Sequence, residues 1–273
     1  TDGTFCDPQL GCDNHFRTFD VSSADSTQWS EELRLQSHFD GPLNFDVGAV
    51  YVNYEVEPSN YFVYSNTLSA AAYGAALCPA NLDLTGGVGE NTTGCNYYLN
   101  RSNYQLESWA VDGEVYYQFN DDLRFTIGAR YTDDTKHVDD FSPILFAPTS
   151  TQPVVGQDAE FQEWTGRIGF DWHLHPGFTD STLLYAFYSR GYKGGGFNPP
   201  SSVGISGITA TYDPEFVDAY EIGLKNQLFD GRMLLNLTGF YYNYQGYQIS
   251  KIVNRSSANE NIDAVVQGIE FET

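Results

Sequence analysis

Four cysteines, two close histidines, a glycine run carrying a lysine and several adjacent acids are the residues whose types and spacing could support chemistry. Cys6, Cys12, Cys78 and Cys95 all fall in segments without strand periodicity, and an even number of loop cysteines predicts two disulfides formed in an oxidising compartment. Sequence proximity favours Cys6 with Cys12 and Cys78 with Cys95, while the other pairings stay combinatorially open. A zinc site would need a tighter cluster with histidine partners. His173 and His175 lie two apart at the end of a predicted strand and could share a face, but no carboxylate or third histidine follows at ligand spacing, so no metal is expected. The run Gly191-Tyr192-Lys193-Gly194-Gly195-Gly196-Phe197 lacks the phosphate-loop spacing and a Ser or Thr after its lysine, and it follows a strand without opening a helix. Its glycines predict a bend or a close backbone approach. The pairs Asp121-Asp122, Asp133-Asp134 and Asp139-Asp140 are not catalytic dyads, because adjacent strand residues point to opposite faces. No nucleophile, base and orienting group occur in a supporting context, so neither an enzyme nor a cofactor is expected.

The elements that must position these residues are strands. From Trp109 to Phe119 every second residue is apolar, and after Asn120-Asp121-Asp122 the alternation resumes with Leu123, Phe125, Ile127, Ala129 and Tyr131. Trp164 to Leu174 and Tyr220 to Leu224 repeat it; near 232 to 252 it is less clean, with Leu234 and Phe240 sharing the polar face. The opposite faces carry Arg124, Arg130, Glu163, Arg167, Asp171, Glu221, Lys225 and Glu270, full charges that a dry core would accept only at high cost. Period-two runs and turn signals place nine strands near 27 to 39, 44 to 57, 103 to 120, 122 to 138, 159 to 174, 181 to 197, 215 to 229, 232 to 252 and 263 to 273. Tight turns rich in Gly, Pro, Asp and Asn alternate with long links at 58 to 102, 140 to 158, 198 to 214 and 253 to 262. Apolar outside, polar inside, short turns on one side and long loops on the other are the pattern of an antiparallel transmembrane β-barrel.

Composition fits that fold class. No segment approaches the roughly 18 apolar positions of a membrane-spanning helix, so contact with lipid would be made by strands. Aromatic residues make up 16% of the chain, in keeping with rings at the two headgroup layers, although an aromatic-rich secreted sandwich shares that feature. A formal charge of −23 excludes a nucleic-acid partner, which would require clustered Lys and Arg. The chain begins without a Met or a leader segment and stops within an alternating run, so residues 1–273 are expected to be part of a longer protein.

The segment from Leu184 through Tyr188-Ser189-Arg190-Gly191-Tyr192-Lys193 to Asn198 resembles the barrel region of TonB-dependent outer-membrane receptors of Gram-negative bacteria. So do Tyr212-Asp213-Pro214-Glu215, Tyr220 to Lys225, Phe240 to Tyr244, Gly268 to Glu272 and the earlier Trp29 to Ser37, in the right order. The resemblance implies active uptake of a scarce nutrient, often a ferric siderophore, through a 22-stranded barrel closed by a plug domain and energised by the TonB-ExbB-ExbD complex. It makes residues 1–273 a partial barrel of about nine strands, without a plug domain of its own. The charged lumen residues would then face the plug. Tyr192, Lys193, Phe197, Tyr244 and Tyr247, near outer strand ends and loops, are the expected ligand-capturing residues. A passive diffusion porin and a soluble adhesin or glycan-binding β-module are the competing functions.

Overall fold

The computed structural model describes residues 5–7, 11–13, 18–65, 98–145, 154–199, 207–253 and 256–273. Nine long strands form one antiparallel sheet: β3 (Thr18–Gln36), β4 (Leu43–Ser65), β5 (Tyr98–Gln118), β6 (Leu123–Leu145), β7 (Val154–Leu174), β8 (Ser181–Lys193), β11 (Glu215–Leu228), β12 (Met233–Val253) and β13 (Ser256–Glu272). Neighbours in sequence are neighbours in space throughout. Two short hairpins stand apart, β1 (Phe5–Asp7) with β2 (Gly11–Asp13) and β9 (Gly196–Phe197) with β10 (Thr211–Tyr212).

The alternation in the sequence becomes two chemically distinct faces. On one face, here called outer, Leu33, Trp109, Val111, Ile127, Trp164, Ile168, Trp172, Ile222 and Ile269 are all exposed, Ile168 by 54%. Water would disfavour so large an apolar surface, and lipid would accept it. Its rings gather into two bands. The upper runs through Trp29, Tyr51, Trp109, Tyr131 and Trp164 to Tyr188, Tyr220 and Tyr241, in three groups, Trp29–Tyr51, Trp109–Tyr131–Trp164 and Tyr188–Tyr220–Tyr241, within which successive centroids lie 5.0–6.3 Å apart. The lower includes Phe39 with Phe45 and Phe125 with Phe170, together with Tyr117 and Trp172. Trp109 and Tyr117 are eight residues apart on β5, as are Trp164 and Trp172 on β7. At about 3.4 Å per residue that is ~27 Å of strand, or ~21 Å of height at a tilt near 40°. With the reach of the rings it matches the apolar band of about 25 Å on a membrane barrel.

The turns below the lower band are tight. Asn120 Oδ1 accepts from the amides of Asp122 and Leu123, each at 2.9 Å, closing the β5–β6 turn. Phe229, Asp230 and Gly231 take positive φ in the β11–β12 turn, where the Gly231 amide donates to Asp180 across the neighbouring turn at 3.0 Å. His175 lies beside Asp122 at 2.8 Å and so joins two adjacent turns.

The strands depart from the sequence expectation mainly above the upper ring band. β4 runs to Ser65, β5 begins at Tyr98, β6 runs to Leu145 and β7 begins at Val154, each beyond the range given by apolar alternation. The link expected over 253 to 262 is largely strand, since β12 reaches Val253 and β13 starts at Ser256. Backbone pairing continues into water, where the apolar outer face that marks a strand is no longer needed. The first long strand begins at Thr18 and ends at Gln36, before Phe39, because Asn44 Oδ1 accepts from the Phe39 amide at 2.7 Å and turns the chain there. The strand expected at 181 to 197 ends at Lys193, and Gly194-Gly195 divert the chain.

Candidate functional site

Above the upper ring band the polarity of the two faces inverts. On β4 the outer side changes from Val47, Ala49 and Tyr51 to Asn53 and Glu55, while the inner side becomes Val50, Val52, Tyr54 and Val56. On β5 and β6 the inner side continues with Ala110, Leu106 and Tyr104 and with Val138. Ala110 and Val138 are buried, 1% and 5% exposed. What covers this inner patch is the connection leaving β8.

β8 pairs with β7 only as far as Gly166 opposite Arg190, so the upper part of β7 has β6 as its sole ladder partner. At that parting the chain turns inward. The Lys136 Nζ donates to the Gly195 carbonyl at 2.6 Å, and the Tyr192 hydroxyl donates to Asp134 at 2.9 Å. Gln248 Nε2 donates to the Gly194 carbonyl at 3.1 Å. Asn198, fully buried, donates to the carbonyls of Thr209 and Asn259, both at 3.0 Å, and accepts from the Asn259 amide at 2.7 Å. The link is thus fastened to β6 at one end and to β12 and β13 at the other. The glycines make this approach sterically feasible: a Cβ on Gly195 would lie 2.7 Å from the Phe161 ring and closer still to the Tyr212 carbonyl.

Beneath the link is a hollow of about 470 Å³ lined by Tyr54, Val56, Ser59, Ser102, Tyr104, Lys136, Val138, Gly195, Gly196, Phe197, Pro199 and Tyr212. Tyr54 and Tyr104 face one another with centroids 6.3 Å apart. Burial, helped by Tyr212, Asp134 and Tyr54, pushes the Tyr104 phenol up to about 12, so it is a neutral donor at any physiological pH. Burial also raises Tyr212 and lowers the Lys136 ammonium, against the opposing pull of Asp134. Beside the wall, Gln157 is opposite Val138 in the ladder and holds an amide shielded from water with no protein partner.

Of the five expected ligand residues, Phe197 lines this vestibule. Tyr192 is spent on Asp134 and packs on Phe216 at 5.7 Å, and burial together with that carboxylate holds its phenol far above the usual range. Lys193 is exposed, 3.8 Å from Glu215. Tyr244 and Tyr247 pack edge to face at 5.3 Å across the bulge at Gly246, whose φ of 66° suits glycine. Tyr54, Tyr104, Lys136 and Tyr212 escape the sequence reading. The available signal was the phase shift of apolar residues on β4 from one parity to the other.

Between the bands the inner face is polar, and the register places Arg124, Arg130, Glu163, Arg167, Asp171, Glu221, Lys225 and Glu270 on it together. On β5 to β7 these charges neutralise one another. Arg130 donates to Asp112 at 2.9 Å, Arg124 to Asp171 at 2.6 Å, and Arg167 reaches Glu114 across Gly128, which separates them in the ladder. Exposed pairs of this kind contribute roughly 0–1 kcal/mol each, so their main effect is on the charge of the surface. On β8 to β12 the inner face is aromatic instead. Glu221 accepts from the hydroxyls of Tyr185 at 2.6 Å and Tyr242 at 3.1 Å, and Lys225 lies 5.2 Å from the Tyr185 ring.

In the short β1–β2 hairpin, Cys6 sits directly opposite Cys12 in the backbone register. Cys78 and Cys95 lie outside the described residues.

The profile of the TonB dependent receptor-like β-barrel matches residues 4–273, almost the whole chain. The chain belongs to that family. Solved receptors share the fold at low sequence identity. The ferric yersiniabactin uptake receptor FyuA from Yersinia pestis superposes with a TM-score of 0.67 at 16% identity over 93% of this chain and 33% of the receptor. The siderophore receptor PiuA from Acinetobacter baumannii gives 0.58 at 16% over 92% and 36%, and the copper transporter OprC gives 0.60 at 13% over 92% and 36%. The chain spans about a third of the length of each. In this barrel family the apolar outer face meets the lipid of the Gram-negative outer membrane, the tight turns mark the periplasmic side, and the inverted zone with its vestibule projects outward beyond the bilayer.

Proposed function

We propose that this chain supplies the ligand-facing wall of an outer-membrane receptor that takes up a scarce nutrient, a ferric siderophore or another large metal chelate, with energy delivered by the TonB-ExbB-ExbD complex. The observation that carries this reading is the aromatic vestibule walled on one side by the fastened 194–199 link, an open hollow of a shape suited to receiving a ligand. The cargoes named for similar barrels, ferric yersiniabactin for FyuA and copper for OprC, favour a metal-bearing ligand.

In this reading the whole of 1–273 is barrel, and the nine strands are adjacent staves of a 22-stranded barrel closed within by its own plug domain. The self-neutralised rows around Arg124, Arg130, Arg167 and Asp171 would let the plug slide over a surface with few unmet charges, while Glu163, Glu221, Lys225 and Glu270 offer it specific holds. The work is transport, with no bond made or broken in the cargo. Uptake of a radiolabelled ferric chelate by cells expressing the full-length receptor, with TonB intact or deleted, tests it. Uptake that requires TonB supports the reading. Equal uptake in both strains replaces it with passive diffusion.

A further inference from the structure

The upper part of β7 is a strand with one side unused. Its ladder to β6 continues without a break up to Val154 opposite Phe141, but its ladder to β8 stops at Gly166 opposite Arg190. In the same register Tyr192 would stand opposite Trp164 and Gly194 opposite Gln162. Instead the Tyr192 hydroxyl is drawn inward to Asp134 and Lys136 holds the Gly195 carbonyl, so the chain that would prolong β8 is tied to the inner side. Residues 154 to 165 are left with alternate backbone N–H and C=O groups directed at the place β8 has vacated, and among the described residues no other backbone bond reaches them. At about 3.4 Å per residue this edge is ~41 Å long, and it rises from the upper ring band at Trp164 into water.

The outer side of that edge is acidic. Asp158 and Glu160 stand on it above Gln162 and Trp164, with Asp133 and Asp139 beside them on β6, and the Asp158 side chain is 82% exposed. Little neutralises them. The Gln162 amide, itself uncharged, donates to Glu160 at 2.5 Å and to Asp133 at 2.9 Å, and His137, 2.6 Å from Asp158, is the one basic residue among those described on this stretch of the outer side. We propose that the upper edge of β7 is a docking strand for an extended segment of an extracellular protein that carries Lys or Arg at alternate positions. Such a segment adds one strand to the sheet, bonds the unused N–H and C=O groups, and sets its cations across from Asp158 and Glu160. Its alternate side chains, facing inward, meet Ala159 and Phe161 and are best small or β-branched. Charge on an edge discourages pairing between copies of the same chain, so the carboxylates that protect this edge also select a partner of opposite sign. The proposal concerns a macromolecular partner and does not depend on which cargo the receptor carries.

The test uses the full-length receptor in nonionic detergent and a short synthetic peptide in which Lys alternates with Thr. Affinity is read by fluorescence anisotropy at low and physiological salt, and the contact is located by hydrogen exchange. The peptide is expected to bind at least about tenfold tighter than two controls of equal length: one with Glu in place of Lys, and one N-methylated at every residue, which keeps the charge and loses the N–H donors. Exchange should slow across 154 to 165 and not in the ladders below Gly166. Asp158→Asn with Glu160→Gln should weaken binding about fivefold at low salt and less at physiological salt. Glu55→Gln, on the outer side of β4, should leave it unchanged. Equal binding of the N-methylated peptide reduces the contact to charge alone and overturns the proposal; so does protection elsewhere in the chain, or no binding by a folded receptor. None of these outcomes touches the uptake reading, which the dependence of transport on TonB tests separately.

Discussion

Gly195→Ala tests whether the infolded link is held as its contacts imply. The added Cβ would sit 2.7 Å from the Phe161 ring and nearer still to the Tyr212 carbonyl, a backbone atom that cannot rotate away. Overpacking of this kind costs about 1–3 kcal/mol. The displacement also stretches the Lys136 to Gly195 bond, a charge-assisted contact of 2.6 Å worth about 1.5–3 kcal/mol if wholly lost. The two penalties overlap, since moving the link relieves the first by incurring the second. A net effect of about 2 kcal/mol lowers the ratio of docked to released link roughly 30-fold. The assay is limited proteolysis of the full-length receptor in bilayers, scored for cleavage between 194 and 213, with chelate affinity measured alongside. Cleavage should rise and affinity fall, while the barrel keeps its heat-modifiable migration, because the long ladders do not involve the link. Gly41→Ala is the control, as nothing lies within 4 Å of its added carbon. Wild-type protease resistance and affinity in Gly195→Ala would refute the clamp and, with it, the view that the link forms one wall of a binding site.

Asn198→Ala should expose the same link by another route, leaving the carbonyls of Thr209 and Asn259 and the Asn259 amide without their partner, at about 1–3 kcal/mol; faster hydrogen exchange at Asn259 is the readout. Ile168→Arg, midway between Trp164 and Trp172 on the outer face, should cost about 2–4 kcal/mol of membrane stability, whereas Thr135→Arg, on the same face above the band, should cost close to nothing; urea titration of the bilayer-folded receptor separates them. Tyr104, raised to about 12, should remain protonated in the fold at a pH where exposed phenols ionise, and its titration step should vanish in Tyr104→Phe. Because the folded value is the higher one, the stability linked to this group is complete below about 10 and is lost as pH rises towards 12; protection that instead grew above pH 10 would contradict the burial.

Strand class, the two faces between the ring bands and the order of the ladder are all written in the local residue pattern. Lipid on one side and a polar interior on the other force a period of two, and a one-residue slip would move Ile127 or Arg130 to the wrong solvent. That constraint ends at the bilayer. Above Tyr51, Trp109 and Tyr131 the strands stand in water, their outer side turns polar, and local pattern no longer says where pairing stops; β4 to β7 therefore outrun the reading. The path of the link after Lys193 is set by contacts distant in the chain. Its glycines announced a close approach without naming the partner, and Lys136, Gln248 and Asn259, which hold it, are 59, 54 and 61 residues away. For the same reason Tyr54, Tyr104 and Tyr212 read separately as unremarkable aromatics. They form a site because the sheet brings β4 and β5 side by side and the inward link carries Tyr212 over them.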